Sequence, residues 1–305
     1  MAHNDYLPKA FFEGKIVDFK NAKVSVATSA LQYGIGCFAG IRGYRQADGK
    51  MAIFRLDRHA KRLLESSKML GFKLDMTEKQ IADAIIQTVT ANNLDSDIYV
   101  RPFIYKSDTD LGPRIEGQYQ LAIYVLRLDE YLDSSKGLSL NTSSWIRVPD
   151  HAIPTKSKAT GMYINAALAI EESNKAGFDS AIMMDMKGDI GEGVVMNLFI
   201  VRDGKIITPG LGGDLLEGVT RRSVIEIAID EGMLVESSNI RRSQLYNAEE
   251  AFVTGTAVKI GWINKIDNRV VSPEVGSITQ KLSNRFNAII HGQDSLSSEW
   301  LHYVD

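Results

Sequence analysis

Strand signals and helix signals alternate along the first 125 residues of the chain. Apolar runs bounded by turn residues predict strands at residues 11–17, 37–45, 51–55, 98–105 and 118–126. The first run is a hairpin that turns at Glu13-Gly14, and a turn at Asp48-Gly49 joins the second run to the third.

Two helices are predicted between these strands. We take Asp57 as the N-cap of the first helix and Gly71 as the residue that ends it. The second helix begins at about Thr77, where the spacing of apolar residues becomes helical. Its inward face is expected to carry Ile81, Ala84, Ile85 and Val89.

Residues 127–137 are polar and carry charges of both signs, and we interpret them as an interdomain linker. Beyond the linker the pattern restarts, with helices at 163–175, 219–230 and 278–290 and strands at 181–186, 198–202, 205–208, 251–254 and 260–266. Ala166, Ala167 and Ile170 are expected to face inward. The pattern predicts an α+β protein with two domains, an N-terminal domain at 1–126 and a C-terminal domain at 138–305.

Composition changes this picture little, but it excludes several classes of protein. The 305 residues are 44% hydrophobic and 24% charged, which is typical of a globular chain that buries a core. A net charge of −3 gives no electrostatic signal for nucleic acid or an anionic membrane. The longest apolar runs are about six residues, far below the ~20 that span a bilayer. The N-terminus lacks the pattern of a secretory signal, so a cytoplasmic protein is expected.

The usual motifs for nucleophilic, metal and nucleotide chemistry are missing from the sequence. It contains no G-x-S-x-G, H-E-x-x-H or G-x-x-x-x-G-K-[ST], and its five histidines are too dispersed to predict a metal site. Cys37, the single cysteine, cannot form an intrachain disulfide and is expected to be a small buried residue in a strand.

Two residues stand out as candidates for other chemistry. Lys158 lies in a loop punctuated by Pro and Gly, between small residues and Tyr163. Such a lysine can lose hydration and act as a Schiff-base lysine, although most loop lysines are solvated charges. Glu192 lies between two glycines, where a carboxylate could face a pyridine nitrogen or could be a turn glutamate in water.

Further candidates are groups that bind anions. The 218–220 turn opens a predicted helix, and the 254–257 turn follows a strand. Both could offer N–H groups to a phosphate or carboxylate, or could be ordinary caps. Arg42, Arg62 and Arg101 lie among apolar residues, where each could bind an anion or form a structural salt bridge.

Taken in order, these pieces resemble the fold-type IV pyridoxal-phosphate enzymes, and among them the branched-chain amino-acid aminotransferases. The resemblance runs from Phe12-Glu13-Gly14 to about Phe286. Eight short motifs in register carry it. They are Leu31-Gln32-Tyr33-Gly34, Phe38-Ala39-Gly40-Ile41-Arg42, Arg58-His59-Ala60-Lys61-Arg62-Leu63, Tyr99-Val100-Arg101-Pro102, the Lys158 loop, Glu192-Gly193 with Asn197-Leu198-Phe199, Gly218-Val219-Thr220-Arg221 and Gly255-Thr256-Ala257.

The resemblance implies a two-domain, D-amino-acid aminotransferase-like fold with the active site at the domain interface. It implies pyridoxal 5'-phosphate as cofactor, bound covalently by Lys158, which then moves a proton between the substrate Cα and the cofactor. Glu192 would pair with the pyridine nitrogen and Tyr163 with the 3'-oxygen. The residues implied to hold the phosphate are Arg62, Val219, Thr220 and Thr256. Lys156 is the rival lysine, but the Lys-Ala-x-Gly-x-Tyr spacing matches Lys158.

The same resemblance implies how amino-acid substrates bind. Gly255, Thr256, Ala257 and Tyr99 would receive the α-carboxylate. Tyr33, Phe38 and Tyr131 would line the side-chain pocket, and Arg101 together with Arg42 would meet the distal carboxylate of glutamate or 2-oxoglutarate. A homodimer at least is implied, because the family's active site borrows a loop from a partner subunit.

The implied activity is transfer of the amino group between L-leucine, L-isoleucine or L-valine and 2-oxoglutarate by a ping-pong mechanism. Ala39, Leu128 and Met196 depart from the family pattern, and a side activity on (R)-primary amines is a hypothesis that follows from the less polar pocket. The alternatives are a D-amino-acid or (R)-amine aminotransferase, an aminodeoxychorismate lyase of the same fold, and a pyridoxal-phosphate-binding protein without turnover. Tyr99-Val100-Arg101 favours the branched-chain interpretation.

Overall fold

A computed structural model describes residues 5–128 and 136–304, and these fold into two compact units. The first unit contains residues 5–128, 157–161 and 288–304, and the second contains residues 136–156 and 162–287. The sequence predicted each domain as one continuous stretch. The first unit instead gains two later segments, one of them because the C-terminal strand pairs with residues 51–54.

The elements follow one another in chain order. Up to residue 128 they are β1 (Asp5–Tyr6), β2 (Lys9–Phe12), β3 (Lys15–Asp18), α1 (Ser29–Tyr33), β4 (Gly36–Phe38), β5 (Ile41–Arg45), β6 (Met51–Phe54), α2 (Leu56–Met69), α3 (Glu78–Thr90), β7 (Ile98–Lys106) and β8 (Tyr119–Arg127). After residue 136 they are β9 (Leu138–Thr142), α4 (Tyr163–Lys175), β10 (Ser180–Met184), β11 (Ile190–Gly193), β12 (Asn197–Arg202), β13 (Lys205–Pro209), α5 (Val219–Asp230), β14 (Leu234–Ser238), α6 (Arg242–Leu245), β15 (Glu250–Gly255), β16 (Lys259–Ile266), β17 (Arg269–Val270), α7 (Ser277–Ile290), α8 (Ser297–Trp300) and β18 (Leu301–Val304).

The sheet of the first unit is antiparallel, in the order β18-β6-β5-β7-β8-β2-β3, with β1 on β8 and β4 on β7. The hairpin predicted at residues 11–17 is confirmed as β2 and β3. Glu13 and Gly14 form its turn with φ of 49° and 77°, the left-handed region that a tight turn requires. The predicted strand at 37–45 is divided, because the chain passes from β4 to β5 at Ala39-Gly40.

Helices α2 and α3 contribute an apolar face to the core of the first unit. The predicted inward face of α3 is confirmed, and Thr77 and Gln80 form a capping box at its start. The prediction of Asp57 as the N-cap of α2 was wrong. Arg55 holds that position with a left-handed φ of 49°, and Asp57 lies in the first turn, where its charge still suits the helix dipole.

The sheet of the second unit is mixed, in the order β11-β10-β9-β16-β15-β12-β13-β14, with β17 on β16. Strand β9 runs parallel to both β10 and β16, and β13 runs parallel to β14. The other pairs are antiparallel. Among them is the hairpin of β12 and β13, which turns at Asp203-Gly204.

The helices of the second unit confirm their predicted spans. Helices α4 and α5 begin and end at the predicted residues, and α7 begins one residue early. The inward face of α4 is partly wrong, since Ala166 and Ala169 are buried, whereas Ala167 is exposed. Within the described residues, no helix combines the length and apolarity needed to cross a membrane. The α+β class is confirmed, while residues 129–135 of the predicted linker lie outside the description.

Candidate active site

Strand β7 presents one apolar face and one polar face. Its residues Ile98, Val100 and Ile104 lie in the core of the first unit. Because side chains alternate along a strand, Tyr99 and Arg101 lie on the opposite face. The alternation therefore puts two predicted substrate-binding residues side by side.

The neighbouring strands add Phe38 and Arg42 to that polar face. Arg42 pairs with Tyr99 across β5 and β7, and Phe38 pairs with Phe103 across β4 and β7. Paired residues of an antiparallel ladder point to the same side of the sheet. Four of the predicted residues thus share one face by register alone.

Arg101 links the aromatic members of this face. Its Nη2 donates to the Tyr99 hydroxyl at 2.9 Å, and its guanidinium carbon lies 4.4 Å from the centroid of the Phe38 ring. A guanidinium stacked on aromatic rings keeps its charge but loses rotamer freedom. It is therefore preorganised to meet a planar carboxylate.

Lys158 lies in the short 157–161 segment that belongs to the first unit. The Phe38 N–H donates to the Lys158 carbonyl at 3.1 Å, and the Lys158 N–H donates to Ser66 Oγ at 3.3 Å. Cys37 and Ala159 form a β-bridge beside them. With its backbone fixed in this way, the half-buried side chain places Nζ 5.2 Å from the centroid of the Phe38 ring.

Helix α2 carries Arg62 and His59 close to this segment. Its Ser66 is the acceptor for Lys158, and Arg62 lies one turn before Ser66. Burial, with the charges of Arg62 and Lys158, holds the pKa of His59 well below its ordinary value. Positively charged groups of the first unit, Lys158 among them, therefore lie near His59.

The other predicted site residues of the first unit contact residues other than Lys158 and Arg101. Arg42 lies 3.6 Å from Asp97 in an ion pair and stacks against Tyr44. The Tyr33 hydroxyl accepts the Gly112 N–H at 2.9 Å. Tyr131 lies outside the described residues. Cys37 is buried in β4 as expected, and burial raises the pKa of its thiol to about 12.

Glu192 is a buried strand residue in the second unit. It lies in β11 with 5% of its surface exposed, which excludes a turn glutamate in water. Its Oε2 accepts from Asn197 Nδ2 at 3.1 Å and from the Leu216 N–H at 3.2 Å. Its Oε1 lies 2.8 Å from Nη2 of Arg147, which is also 5% exposed. A buried carboxylate persists as an anion only with such pairing.

Lys156, the rival of Lys158, has a structural environment in the second unit. Its ammonium donates to the carbonyls of Gly213 and Leu215 at 2.8 and 3.0 Å. Burial lowers its pKa, while the nearby charges of Glu192, Asp150 and Asp214 oppose that shift. An amine engaged by two backbone carbonyls is a poor nucleophile, so these contacts favour Lys158 as the reactive lysine.

Helix α5 opens with a first turn that can bind an anion. Its N-cap, Gly218, offers no side-chain cap, and the following residues Val219 and Thr220 are buried. The N–H groups at a helix start carry partial positive charge and suit a phosphate. Arg221 braces this turn through a bond from Nη2 to the Pro209 carbonyl at 2.9 Å.

The Gly255-Thr256-Ala257 turn joins β15 to β16. Gly255 pairs with Lys259, which has a left-handed φ of 57° and closes the hairpin. Tyr163, the first residue of α4, packs on a small apolar cluster that contains Ala166 and Val194. The second unit therefore holds a carboxylate, a helix start and a polar turn.

The residues of both units fit pyridoxal 5'-phosphate chemically. An amine for the aldehyde is available in Lys158 of the first unit. A carboxylate for the ring nitrogen is available in Glu192 of the second unit, where it is paired with Arg147. The phosphate needs N–H donors, and the uncapped start of α5 has them.

Sequence reasoning missed Arg147, Lys156 and Asn197 as supports of Glu192. Asn197 was part of a motif but was given no role, and Lys156 was considered only as an alternative to Lys158 as the cofactor-binding lysine. Arg147 had no local signal, because its partner is 45 residues away along the chain and only the tertiary fold brings the two together. The two glycines around Glu192 suggested a turn. Gly191 instead leaves room for the Arg147 side chain, whose Cγ would lie 3.3 Å from an added Cβ.

Comparisons with known proteins agree on one family. Residues 36–266 match the family model described as amino-transferase class IV. A probable branched-chain-amino-acid aminotransferase of Synechocystis is 38% identical over 302 residues, 98% of each chain.

Solved structures give the same result. A branched-chain aminotransferase of the thermophilic archaeon Thermoproteus uzoniensis, crystallised with norvaline, is similar with a TM-score of 0.94 and 38% identity over 99% of this chain and 100% of that one. The branched-chain amino acid aminotransferase of Thermobaculum terrenum, crystallised in its PLP-form (holo-form), has a TM-score of 0.90 and 30% identity over 99% of each chain.

Proposed function

The chain belongs to the class IV aminotransferase family, and from that premise we propose that it transfers amino groups between L-branched-chain amino acids and 2-oxoglutarate. The observation that carries the proposal is full-length similarity to branched-chain aminotransferases; the half-buried Lys158 of the first unit and the ion-paired Glu192 of the second unit support it. The cofactor is pyridoxal 5'-phosphate, which supplies an electron sink for the pair left when the Cα–H bond breaks.

We propose that Lys158 binds the cofactor and then acts as the base at the substrate Cα. Hydrogen bonds to Phe38 and Ser66 hold the Lys158 backbone in place, so its amine would be a positioned base once the substrate is bound. The Nζ atom of Lys158 lies 5.2 Å from the centroid of the Phe38 ring, beside the polar face of the first unit. Lys158 thus combines attachment and proton transfer in one residue.

The other cofactor contacts are proposals of the same kind. Glu192 would hold the ring nitrogen, and Tyr163 the 3'-oxygen. Arg62, the N–H groups of Val219 and Thr220, and Thr256 would hold the phosphate. The helix start and the charge-assisted contacts together fix the cofactor's orientation, on which the chemistry depends.

Substrate recognition is proposed to use the polar face of the first unit and one turn of the second. The Gly255-Thr256-Ala257 turn and the Tyr99 hydroxyl would receive the α-carboxylate. Arg101 would meet the distal carboxylate of glutamate, and its stacking on Phe38 supports a site that takes both this group and an aliphatic chain. Tyr33, Phe38 and Tyr131 remain proposed pocket residues, and Arg42 a proposed carboxylate contact.

Three finer statements also remain proposals. The two half-reactions would follow a ping-pong order, because one site must release the first product before it binds the second substrate. The active form would be at least a homodimer. A side activity on (R)-1-phenylethylamine would follow from Ala39, where the family often has an acidic residue.

The test is the formation of L-glutamate from 2-oxoglutarate with a series of donors. L-leucine, L-isoleucine and L-valine are expected to react, D-alanine is not, and Lys158→Ala should abolish the reaction. Glutamate formation from D-alanine but from none of the three L-amino acids would overturn the substrate class and leave the family intact. Parallel initial-rate lines for both substrates test the ping-pong order.

A further inference from the structure

A buried arginine and a half-buried lysine hold the surroundings of Glu192 in place. Arg147 contacts Glu192 directly, and its Nε also donates to the Asp214 carbonyl at 3.5 Å. Lys156 donates to the two carbonyls on either side, those of Gly213 and Leu215. The next residue, Leu216, turns its N–H to Glu192. The 213–216 loop is thus fixed by cations at three carbonyls and delivers one donor to the carboxylate.

Arg147 itself is held firmly in place. Its backbone N–H donates to the Met184 carbonyl at 2.8 Å, which fixes it beside β10. The preceding Ser143 and Ser144 are bound by Glu172, with the Ser144 N–H at 3.0 Å from Oε2. Gly191 provides the space above β11 for the Arg147 side chain. The backbone hydrogen bond, the anchored serines and the space at Gly191 together hold the Arg147 guanidinium in one position.

The Arg147–Glu192 ion pair affects where the proton between Glu192 and the pyridine nitrogen of the cofactor would lie. The pyridine nitrogen and the Glu192 carboxylate compete for the same proton when they meet. Burial alone would favour a neutral carboxyl, whereas an opposite charge at 2.8 Å favours the carboxylate. The Arg147 contact, together with the Asn197 and Leu216 donors, therefore opposes transfer of the proton to Glu192.

We propose that Arg147 is a positioning residue that keeps Glu192 ionised and oriented, so that the proton stays on the ring nitrogen of bound pyridoxal phosphate. The inference rests on the proposed function, because it needs that cofactor. It goes beyond that function by assigning the control of ring protonation to a residue that does not touch the reacting atoms.

The first test compares Arg147→Met with Arg202→Met, a partly exposed arginine at the end of β12 in the same unit. The readouts are the dissociation constant for pyridoxal phosphate and the absorption spectrum of the holoenzyme from pH 5 to 9 without substrate. Arg147→Met is expected to raise the dissociation constant about tenfold or more and to make the spectrum change with pH where the wild type does not. Arg147→Lys, which keeps the charge, should restore much of the wild-type behaviour.

The second test places Arg147→Met in a Glu192→Gln background. If Arg147 acts through Glu192, the second substitution should change the dissociation constant and the spectrum by no more than about twofold, as a double-mutant cycle requires for a coupled pair. Removing both charges of a buried pair is also often tolerated when removing one is not. The double variant therefore keeps the test available if Arg147→Met fails to fold.

Two results would overturn the inference. One is an Arg147→Met enzyme whose pH-dependent spectrum and cofactor affinity match those of Arg202→Met. The other is that Arg147→Met weakens pyridoxal-phosphate binding equally in the wild-type and the Glu192→Gln background, which would indicate a purely structural role. Either result leaves the proposed function standing, whereas a wild-type protein that binds no pyridoxal phosphate would remove the proposed function itself.

Discussion

At the scale of single residues, Lys156 and Lys158 differ in surroundings although one residue separates them. Lys156 is committed to two backbone carbonyls of the 213–216 loop. Lys158 has its backbone fixed and its amine beside the Phe38 ring. Composition and local polarity could not distinguish these two lysines, but their hydrogen bonds do.

Substitution of Lys156 should affect stability and leave cofactor attachment intact. Lys156→Met removes two charge-assisted hydrogen bonds, so we expect the free energy of unfolding to fall by about 2 kcal/mol. Urea unfolding measures this loss, and a cofactor absorption band equal to that of the wild type is the matching control. Loss of that band in Lys156→Met would mean that the wrong lysine has been assigned.

His59 gives the protein a predicted weakness in mild acid. It is 1% exposed, and no described residue hydrogen-bonds to its Nδ1. Burial, then the charges of Arg62, Lys158 and Arg55, lower its pKa from 6.5. Below about pH 6.5 His59 is therefore protonated in the unfolded chain but stays neutral in the folded protein. The free energy of unfolding falls as the pH decreases.

The measurement compares unfolding free energies at pH 7.5 and 5.5. We expect the wild type to lose up to about 1.4 kcal/mol per pH unit from this residue, and His59→Gln to lose correspondingly less. His302→Gln, at an exposed position of β18, should behave as the wild type. Equal slopes for the wild type and His59→Gln would contradict this account.

At the scale of elements, regular periodicity predicted helices well and short strands poorly. Helices α4 and α5 begin and end at the predicted residues because their turn and cap signals are local. Strands β9, β11 and β18 were missed, because their partners lie far away in the sequence and only pairing defines them. Helix α2 begins after Arg55 and not after Asp57, because the Arg55 N–H is bound by the Trp300 carbonyl near the C-terminus.

The candidate site was predictable only where motifs carry it. Arg101, Tyr99 and Phe38 were expected as substrate residues, and strand register explains why they share one face. The supports of Glu192 were not predictable, since Arg147 reaches it through tertiary contacts. Local sequence therefore indicates which groups are candidates for the reaction, and the fold determines which residues hold them in place.

The start of α5 provides a test at this scale. A methyl group added at Gly218 would overlap Oδ1 of Asn197, whose Nδ2 donates to Glu192. Gly218→Ala should therefore weaken pyridoxal-phosphate binding about tenfold, equivalent to ~1.4 kcal/mol. Equilibrium dialysis against the cofactor measures it.

Gly212→Ala is the matched control for Gly218→Ala. It lies in the same connection, and an added methyl group there meets no atom within 4 Å. Its cofactor affinity should equal that of the wild type. Equal affinities for both variants would show that Asn197 and the helix start adapt without loss.

At the scale of the whole molecule, the C-terminal segment completes the first unit. Strand β18 pairs with β6, and the Trp300 carbonyl accepts the Arg55 N–H at 2.7 Å. The Arg55 guanidinium lies 3.7 Å from the centroid of the Trp300 ring. Because Arg55 begins α2, the last residues of the chain support the helix that carries His59 and Arg62.

Truncation of Trp300 should therefore destabilise the protein strongly. Trp300 is 2% exposed, and we expect Trp300→Ala to lower the free energy of unfolding by about 3–5 kcal/mol through the cavity and the lost cation–π contact. Tyr303→Ala, an exposed residue of the same segment, should cost little. Denaturant unfolding measures the free energy of unfolding of both variants. A similar decrease in the two would contradict a specific role for Trp300.

The central claim is that Lys158 binds pyridoxal phosphate and that L-branched-chain amino acids react there. The most direct measurement is the visible absorption spectrum of the cofactor-loaded protein before and after addition of L-leucine, with Lys158→Ala and Lys156→Met in parallel. We predict a band of lysine-bound cofactor in the wild type and in Lys156→Met, converted by L-leucine to the spectrum of the amine form, and absent from Lys158→Ala. A band that persists in Lys158→Ala, or one that D-alanine converts and L-leucine does not, would contradict the account.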